Sequence, residues 1–216
     1  WSGKKNSGEL LRNNRTVPFT PSEIRLATGW EKGVDGLWRY EIPDGEVLIS
    51  KDKGFKNIQT WEYETKKGDF IYLKDIFNSK ELYNAYPALQ FTRIEIIKDK
   101  GAGTAFVSQY PNGKQYIGIG GLTEGFSLKY TLIHEIQHII QFKENFAKGG
   151  NEKQMGSYQR YKQLSGETEA RNASARMNMT EEERRKTLLA ETADVAPEDQ
   201  IVIMDGMGVS QLTEKE

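Results

Sequence analysis

The sequence contains no cysteine and only two histidines among its 216 residues. The absence of cysteine excludes disulfide bonds and thiolate-ligated zinc sites. It also fits a reducing compartment such as the cytosol, although it does not establish one. No run of about 18 apolar residues occurs, so no segment is predicted to span a membrane.

The chain also lacks an excess of either charge. Lysine and arginine total 30, aspartate and glutamate total 31, and the formal net charge is −1. Because basic residues are interspersed with acidic ones, neither a nucleic acid nor a membrane surface is an expected partner. This length favours one domain, and 37% hydrophobic residues suffice for a core.

The two histidines form an H-E-x-x-H motif, in which His134 and His138 stand four residues apart and Glu135 follows the first. The surrounding segment is mainly apolar and predicts a buried helix. On a helix, residues i and i+4 share one face, so both imidazoles can bind one Zn²⁺ while Glu135 acts as general base. Chance produces this arrangement in roughly one chain in a thousand. The alternative is a buried helix whose histidines pair with neighbouring carboxylates.

A catalytic zinc site needs a third protein ligand, and neither another histidine nor a cysteine is present. The longer motif with a glycine and a third histidine is absent, because Gln141 and Glu144 occupy those positions. Glu167 is the preferred candidate, since it would share a helix face with Ala170, which allows close packing, and with Arg171. Arg171 would hold the carboxylate by a charge-assisted hydrogen bond. The alternative ligands are, in order, Glu169 and Glu144.

The H-E-x-x-H motif at 134–138 and the E-x-x-A segment at 167–170 together resemble the glutamate-liganded branch of the zincin metallopeptidases. The chain is more closely similar to zincin-like domains within large polyvalent proteins of phages and other mobile elements. Arg171 stands where many glutamate-liganded zincins carry aspartate, so the surroundings of the ligands are expected to differ. The similar stretches, which span most of the chain, are residues 29–42, 131–151, 164–175, 180–185 and 194–202.

The expected activity is zinc-dependent hydrolysis of peptide bonds. A zinc ion would acidify a water molecule, and Glu135 would pass its proton to the leaving amine. Tyr161 is the predicted donor to the tetrahedral oxyanion, with Tyr158 and Arg171 as alternatives. Both tyrosines also suit core positions at helical spacing. The predicted metal ligands are His134, His138 and Glu167.

The expected partner is a protein or peptide substrate, and the chain is expected to be part of a larger polyprotein. A cytoplasmic or virion-associated location is favoured. An intact Glu135 argues for an enzyme, because a purely structural metal site needs no general base. The alternatives are a metal-stabilised structural or interaction module of a phage or mobile-element polyprotein, and a delivered toxin.

The predicted fold is α+β and zincin-like, with a small mixed or antiparallel sheet followed by the active-site helix and further C-terminal helices. Residues 1–18 are predicted to be a flexible lead and 19–216 a single domain. Its parts are 19–122, mainly β with short helices; 123–192, helical with the metal site; and 193–216, a C-terminal strand and tail.

Individual elements follow from caps, turns and periodicity. Residues 116–120, just before the histidine helix, are predicted to bind an extended substrate at a sheet edge, with a plain hairpin strand as the alternative. Helices are predicted from Thr20 to Gly29, at 79–86, 126–146 and 153–177, and from Thr180. Strands are predicted at 38–42, 47–49, 69–73, 92–97, 104–109, 114–119 and 200–204.

Overall fold

Strands and helices both contribute to the computed structural model, which describes residues 9–12, 15–43, 70–97, 104–120 and 127–205. The α+β class predicted from the sequence is confirmed in these residues. The strand predicted at 47–49 lies outside the described residues.

The described strands form two hairpins and one four-stranded mixed sheet. The hairpins pair β1 (Glu9–Arg12) with β2 (Arg15–Pro18), and β3 (Trp30–Lys32) with β4 (Trp38–Tyr40). The mixed sheet contains β5 (Ile71–Tyr72), β6 (Arg93–Ile96), β7 (Ala105–Gln109) and β8 (Gln115–Ile119). Its strand order is β5-β6-β8-β7, and β8 runs parallel to β6 but antiparallel to β7.

Helix α4 (Leu128–Glu144) carries both histidines and lies within two residues of its predicted bounds at each end. Ser127 caps it by accepting from the backbone of Tyr130, and Asn145 ends it in the left-handed conformation. Helix α7 (Ser165–Ala175) packs against α4. The remaining helices are α1 (Pro21–Thr28), α2 (Leu73–Ile76), α3 (Lys80–Ala85), α5 (Glu152–Met155), α6 (Tyr158–Lys162), α8 (Glu181–Lys186) and α9 (Leu189–Thr192).

The main core lies between the mixed sheet and α4. Ile117 and Ile119 of β8 and Leu132 of α4 are fully buried. Ile136 and Ile139 of α4 are almost fully buried. Because these residues belong to one hydrophobic cluster, the sheet fixes the orientation of the histidine helix.

The prediction that 116–120 forms a substrate-binding sheet edge is wrong. Tyr116 is paired with Arg93 of β6 on one side and with Ser108 of β7 on the other. The hairpin was predictable from its turn, but the parallel pairing with β6 joins segments that are distant in sequence. In the described sheet the outer strand next to β8 is β7, which also contacts α4.

The single helix predicted over 153–177 is also wrong, because α5, α6 and α7 occupy this stretch. Gly156 ends α5 in the left-handed conformation, and Ser157 then caps α6. Leu164 is extended and forms a parallel bridge with Ile201, which interrupts the helix a second time. This isolated bridge replaces the strand predicted at 200–204.

Two short segments remain. In the segment predicted to be a flexible lead, the first hairpin pairs Leu10 with Val17 and Leu11 with Thr16. Of the strand predicted at 69–73, residue 69 lies outside the described residues, and the strand is shorter than predicted because α2 begins directly after β5.

The β3–β4 hairpin turns its charged residues inward. Glu31 and Arg39 are cross-strand partners and both are buried. By contrast, Trp30, Trp38 and Tyr40 are each more than 40% exposed. The hairpin therefore brings buried charge, rather than apolar surface, to its contacts with the helices.

An arginine–glutamate cluster, formed by Arg25, Glu31, Glu41, Arg176 and Arg184, ties this hairpin to α1 and the C-terminal helices. Glu41 accepts hydrogen bonds from all three arginines. Glu31 accepts from Arg25 at 2.9 Å and from the backbone N–H of Leu189. Burial acts to raise the pKa of Glu41, but the arginines lower it overall, whereas burial prevails at Glu31 and raises its pKa.

Candidate metal centre

Three side chains from two helices converge at the surface of α4. The Nε2 atoms of His134 and His138 are 3.1 Å apart. Glu167 of α7 places Oε1 3.4 Å from Nε2 of His138 and Oε2 3.6 Å from Nε2 of His134. In the described part of the chain, these residues form the one group of three such ligands that could hold a metal ion. The structure therefore brings together all three predicted ligands.

The spacing of these atoms fits a tetrahedral metal ion. Ligand atoms about 2.0–2.1 Å from a zinc ion lie about 3.3–3.4 Å apart at the corners of a tetrahedron. The two nitrogens are 3.1 Å apart, and each lies close to this distance from a different oxygen of Glu167, at 3.4 and 3.6 Å. Two imidazoles and one carboxylate are also a common ligand set of catalytic zinc sites, which keep a fourth position open.

The loop after α4 lies against the candidate ligands, and its glycine residues make this close approach possible. A Cβ atom on Gly149 would lie 2.3 Å from Oε1 of Glu167 and 2.6 Å from Cε1 of His138. The backbone N–H of Gly150 donates to the same Oε1 atom at 3.0 Å. The two glycines therefore contact the candidate metal ligands directly.

Glycine also allows α7 to approach this loop. A Cβ atom on Gly166 would lie 2.2 Å from the backbone nitrogen of Gly149 and 2.2 Å from the carbonyl carbon of Lys148. Any larger residue at position 166 would therefore separate α7 from the loop. The close backbone contact places Glu167, the next residue, against the two histidines.

The pKa values of Glu167 and His138 show that the candidate centre favours positive charge. Burial acts to raise the pKa of Glu167, but the adjacent imidazoles of His134 and His138 and the backbone N–H of Gly150 lower it well below its usual range. Burial acts to lower the pKa of His138, but the carboxylate of Glu167 raises it overall. The side chains of His134 and His138 are 18% and 17% exposed, so solvent reaches the centre.

Glu135 provides a buried acceptor beside the ligands. Its side chain is buried, and its Oε2 atom has no hydrogen-bond partner among the described residues. Burial raises the pKa of this carboxyl, partly offset by the charges of His138 and His134. A buried polar atom without a partner is costly, and such atoms are commonly functional.

Tyr161 lies at the centre, in contact with a ligand. Its hydroxyl donates to Oε2 of Glu167 at 2.9 Å, and burial together with this carboxylate raises its pKa. Tyr158, the alternative oxyanion donor, is 61% exposed, and its ring centre lies 6.1 Å from that of Tyr161. The structure thus places Tyr161 nearer the metal ligands.

The prediction that Arg171 holds the third ligand is wrong. Its guanidinium binds Asp194 through two nitrogens, at 2.9 and 3.0 Å, and donates to the carbonyl of Lys162. Glu167 instead receives its hydrogen bonds from Gly150 and Tyr161. Asp194 follows α9, so this competing partner could not be inferred from the α7 segment.

The two alternative ligands are engaged elsewhere. Glu169 accepts hydrogen bonds from Arg39, and at 3.3 Å from Gln141. Glu144, at the end of α4, is exposed and lies beside the hydroxyl of Tyr86. Neither belongs to the metal-binding group of the described residues.

Gln141 contacts a predicted ligand but was not recognised as a site residue from the sequence. Its Oε1 atom is 2.9 Å from Nδ1 of His138. Gln141 stands three residues after His138, so helical spacing alone placed it next to that ring. In the sequence it served only to show that the longer zincin motif is absent.

Comparison with known families gives one match. A family described as Large polyvalent protein associated domain 23 matches residues 18–50. In this segment the chain is similar to large polyvalent proteins. The match includes α1 and the β3–β4 hairpin but none of the three ligands. No curated protein and no solved structure matches the chain.

The matched segment contacts residues that lie next to the candidate metal centre in the chain. Arg39 binds Glu169, and Asp35 accepts a hydrogen bond at 2.9 Å from the backbone of Ala147, just before the glycine loop. A cavity of about 610 Å³ lies beside the same hairpin, but none of the three metal ligands lines it. Within the described residues, no helix has the length and hydropathy needed to cross a membrane.

Proposed function

We propose that this protein is a zinc-dependent peptidase in which His134, His138 and Glu167 bind the metal and Glu135 is the general base. The observation that carries the proposal is the buried Glu135 carboxyl, whose Oε2 atom has no partner among the described residues, beside a ready-made ligand triangle. A site that served only to stabilise the fold would not need this acceptor.

When bound, zinc would supply Lewis acidity and lower the pKa of a water molecule at the open position. Glu135 would accept a proton from the attacking water and deliver it to the leaving amine. Burial supports this role, because a carboxyl whose pKa is raised toward neutrality can both accept and return a proton. Gly150 and Tyr161 would hold Glu167 in place as a ligand.

Tyr161 is proposed to stabilise the oxyanion of the tetrahedral intermediate. Its hydroxyl already lies at the centre, but it would have to leave Oε2 of Glu167 in order to donate to the substrate. The substrate would be an extended segment of a protein or peptide. Strand β7 replaces the incorrectly predicted 116–120 edge, since it is an outer strand of the described sheet and contacts α4.

The zincin-like fold and an origin in phages or other mobile elements belong to this proposal. The origin is supported by the similarity of residues 18–50 to a domain of large polyvalent proteins, and the zincin-like fold by the position of the three candidate ligands on α4 and α7. A domain of such a protein could act on other parts of the same polypeptide, which would make the polyprotein both parent and substrate. The competing possibility is a metal-stabilised module without catalytic activity.

The test combines metal content with hydrolysis of an unstructured protein such as casein. Wild type should contain about one zinc per chain by elemental mass spectrometry, and His138→Ala and Glu167→Ala should lose it. Glu135→Gln should keep the zinc and lose hydrolysis, whereas the matched change Glu144→Gln on the same helix should keep both. In Tyr161→Phe, a lower kcat with full zinc content would support oxyanion stabilisation.

Two results would contradict the proposal in different ways. Full hydrolysis by Glu135→Gln would refute the mechanism. Zinc binding without hydrolysis of casein or of parent polyprotein segments by the wild type would favour the structural module instead.

A further inference from the structure

The side-chain amide of Gln141 is almost fully buried and makes three polar contacts. Gln141 is 1% exposed. Its Nε2 atom lies 2.8 Å from the carbonyl oxygen of Gly166 and 3.3 Å from Oε2 of Glu169, while Oε1 lies 2.9 Å from Nδ1 of His138. The amide therefore connects a predicted metal ligand to the neighbouring helix α7.

These contacts allow only one orientation of the amide. The carbonyl of Gly166 and the carboxylate of Glu169 are both acceptors, so the NH₂ group must face them. Rotating the amide by 180° would place its oxygen against two other oxygens and leave its NH₂ group facing the imidazole of His138. Oε1 of Gln141 is therefore held against Nδ1.

A fixed amide orientation determines the proton position on His138. Because Oε1 of Gln141 can only accept, Nδ1 of His138 must carry the hydrogen. Nε2 is then the nitrogen whose lone pair faces Glu167 and the other imidazole. This is the tautomer that binding a metal through Nε2 requires, and it exists before any metal arrives.

Arg39 holds the side chain of Glu169 in place. The guanidinium of Arg39 binds both carboxylate oxygens of Glu169 and also both oxygens of Asp35. These bidentate hydrogen bonds orient Glu169 so that its Oε2 atom lies 3.3 Å from the NH₂ group of Gln141.

We propose that Gln141 is a positioning residue that fixes His138 in the Nδ1–H tautomer, and that Arg39 fixes Gln141 through Glu169. This inference rests on the proposed function, because it assigns His138 as a metal ligand. Arg39 lies in the segment that is similar to large polyvalent proteins. This segment therefore has a role in preparing the centre.

The proton position can be measured directly, because the chain has only two histidines. In protein labelled with ¹⁵N-histidine, long-range ¹H–¹⁵N correlations report the tautomer of each ring. In metal-free wild type, at a pH where both rings are neutral, His138 should carry its hydrogen on Nδ1. An Nε2–H tautomer of His138 would overturn the proposal.

Substitution of Gln141 gives an independent test. Gln141→Leu should release the preference for the Nδ1–H tautomer and weaken zinc binding about 10- to 100-fold, measured with a competing chelator. The tautomer of His134, whose Nε2 atom lies 3.1 Å from Nε2 of His138, is read in the same spectrum. The matched change Gln137→Leu on the same helix should alter neither quantity, and Arg39→Lys should have an intermediate effect.

The outcomes separate this inference from the proposed function. Unchanged zinc affinity and an unchanged His138 tautomer in Gln141→Leu would refute the positioning role. If that variant does not fold, the wild-type tautomer decides the question alone. If wild type binds no zinc, the proposed function fails, while the tautomer of the metal-free protein still confirms or refutes the role of Gln141.

Discussion

Two groups of buried polar residues in the described part of the chain, the arginine–glutamate cluster and the candidate metal centre, differ in how their charges are balanced. In the arginine–glutamate cluster, Glu41 is surrounded by three guanidinium groups and Glu31 by one guanidinium and a backbone N–H. In the metal centre, by contrast, two imidazole nitrogens face each other and an oxygen of Glu135 has no described partner. The charges of the first group are balanced within the fold, whereas the second group brings together side chains that could hold a metal ion.

This difference separates structural from functional burial of polar residues. Complementary charges that satisfy one another stabilise one arrangement of the chain and offer nothing to a ligand. Imidazole and carboxylate groups that converge on one point favour binding of a cation there. Changes in the two groups should therefore have opposite effects on stability and on metal binding.

The largest expected effect on stability is in the arginine–glutamate cluster. Glu41→Gln should lower the free energy of unfolding by about 3–5 kcal/mol, because three buried guanidinium groups lose their shared carboxylate. Glu167→Gln should lower it much less in metal-free protein. Urea unfolding of both variants measures the contrast, and equal losses would show that the two groups do not differ as described.

Zinc should produce the next largest effect and should act only through the metal centre. At a free zinc concentration 100 times its Kd, wild type should gain about 2.7 kcal/mol of stability. Glu41→Gln should show a similar gain on its lower baseline, and Glu167→Gln should show none. Thermal unfolding with and without zinc provides the measurement, and stabilisation of Glu167→Gln would indicate that zinc binds elsewhere.

Gly149→Ala should affect both properties through a single steric contact. The added methyl group would displace Glu167 and His138, weaken zinc binding and lower stability by about 1–3 kcal/mol. Gly113→Ala is a suitable control, since its left-handed backbone would be strained by about 1–2 kcal/mol but it lies outside the metal centre. Titration with zinc should distinguish the variants, and equal affinities would remove Gly149 from the site.

The smallest effect concerns pH. The folded-state pKa of Glu41 is lowered, so its contribution to stability is present above the unfolded pKa and is lost as the pH falls through the folded value. Glu31, whose pKa is raised, opposes this trend in the same acidic range. The free energy of unfolding of Glu41→Gln should therefore change less with pH in the acidic range than that of wild type. A steeper change would contradict the assignment.

The three side chains of the candidate metal centre could be predicted from the sequence because their signal is local. The spacing of His134 and His138 and the apolar run around them specify one buried helix, and the E-x-x-A segment pointed to Glu167. The residues that support the site from other segments could not be predicted in this way, because their contacts join positions distant in sequence. Arg39 meets Glu169 across 130 positions, and Asp35 meets Ala147 across 112.

The incorrect fold predictions have the same origin. Helical propensity continues through 153–177, but pairing of Leu164 with Ile201 requires an extended residue in the middle. Likewise, β8 is central because β6, separated from it by β7 in the chain, lies parallel to it. Local sequence patterns indicate which segments form helices or strands. Pairing between distant segments determines where these elements end and which elements lie beside them.

The backbone contact at Gly166 has a consequence for protein engineering. Because main-chain atoms of the loop at 148–149 lie against this position, the geometry of the three ligands depends on a third chain segment as well as on two helices. A graft of α4 and α7 alone onto a designed scaffold would carry every ligand and still misplace the carboxylate. The smallest transplantable unit of this centre therefore includes the intervening glycine loop.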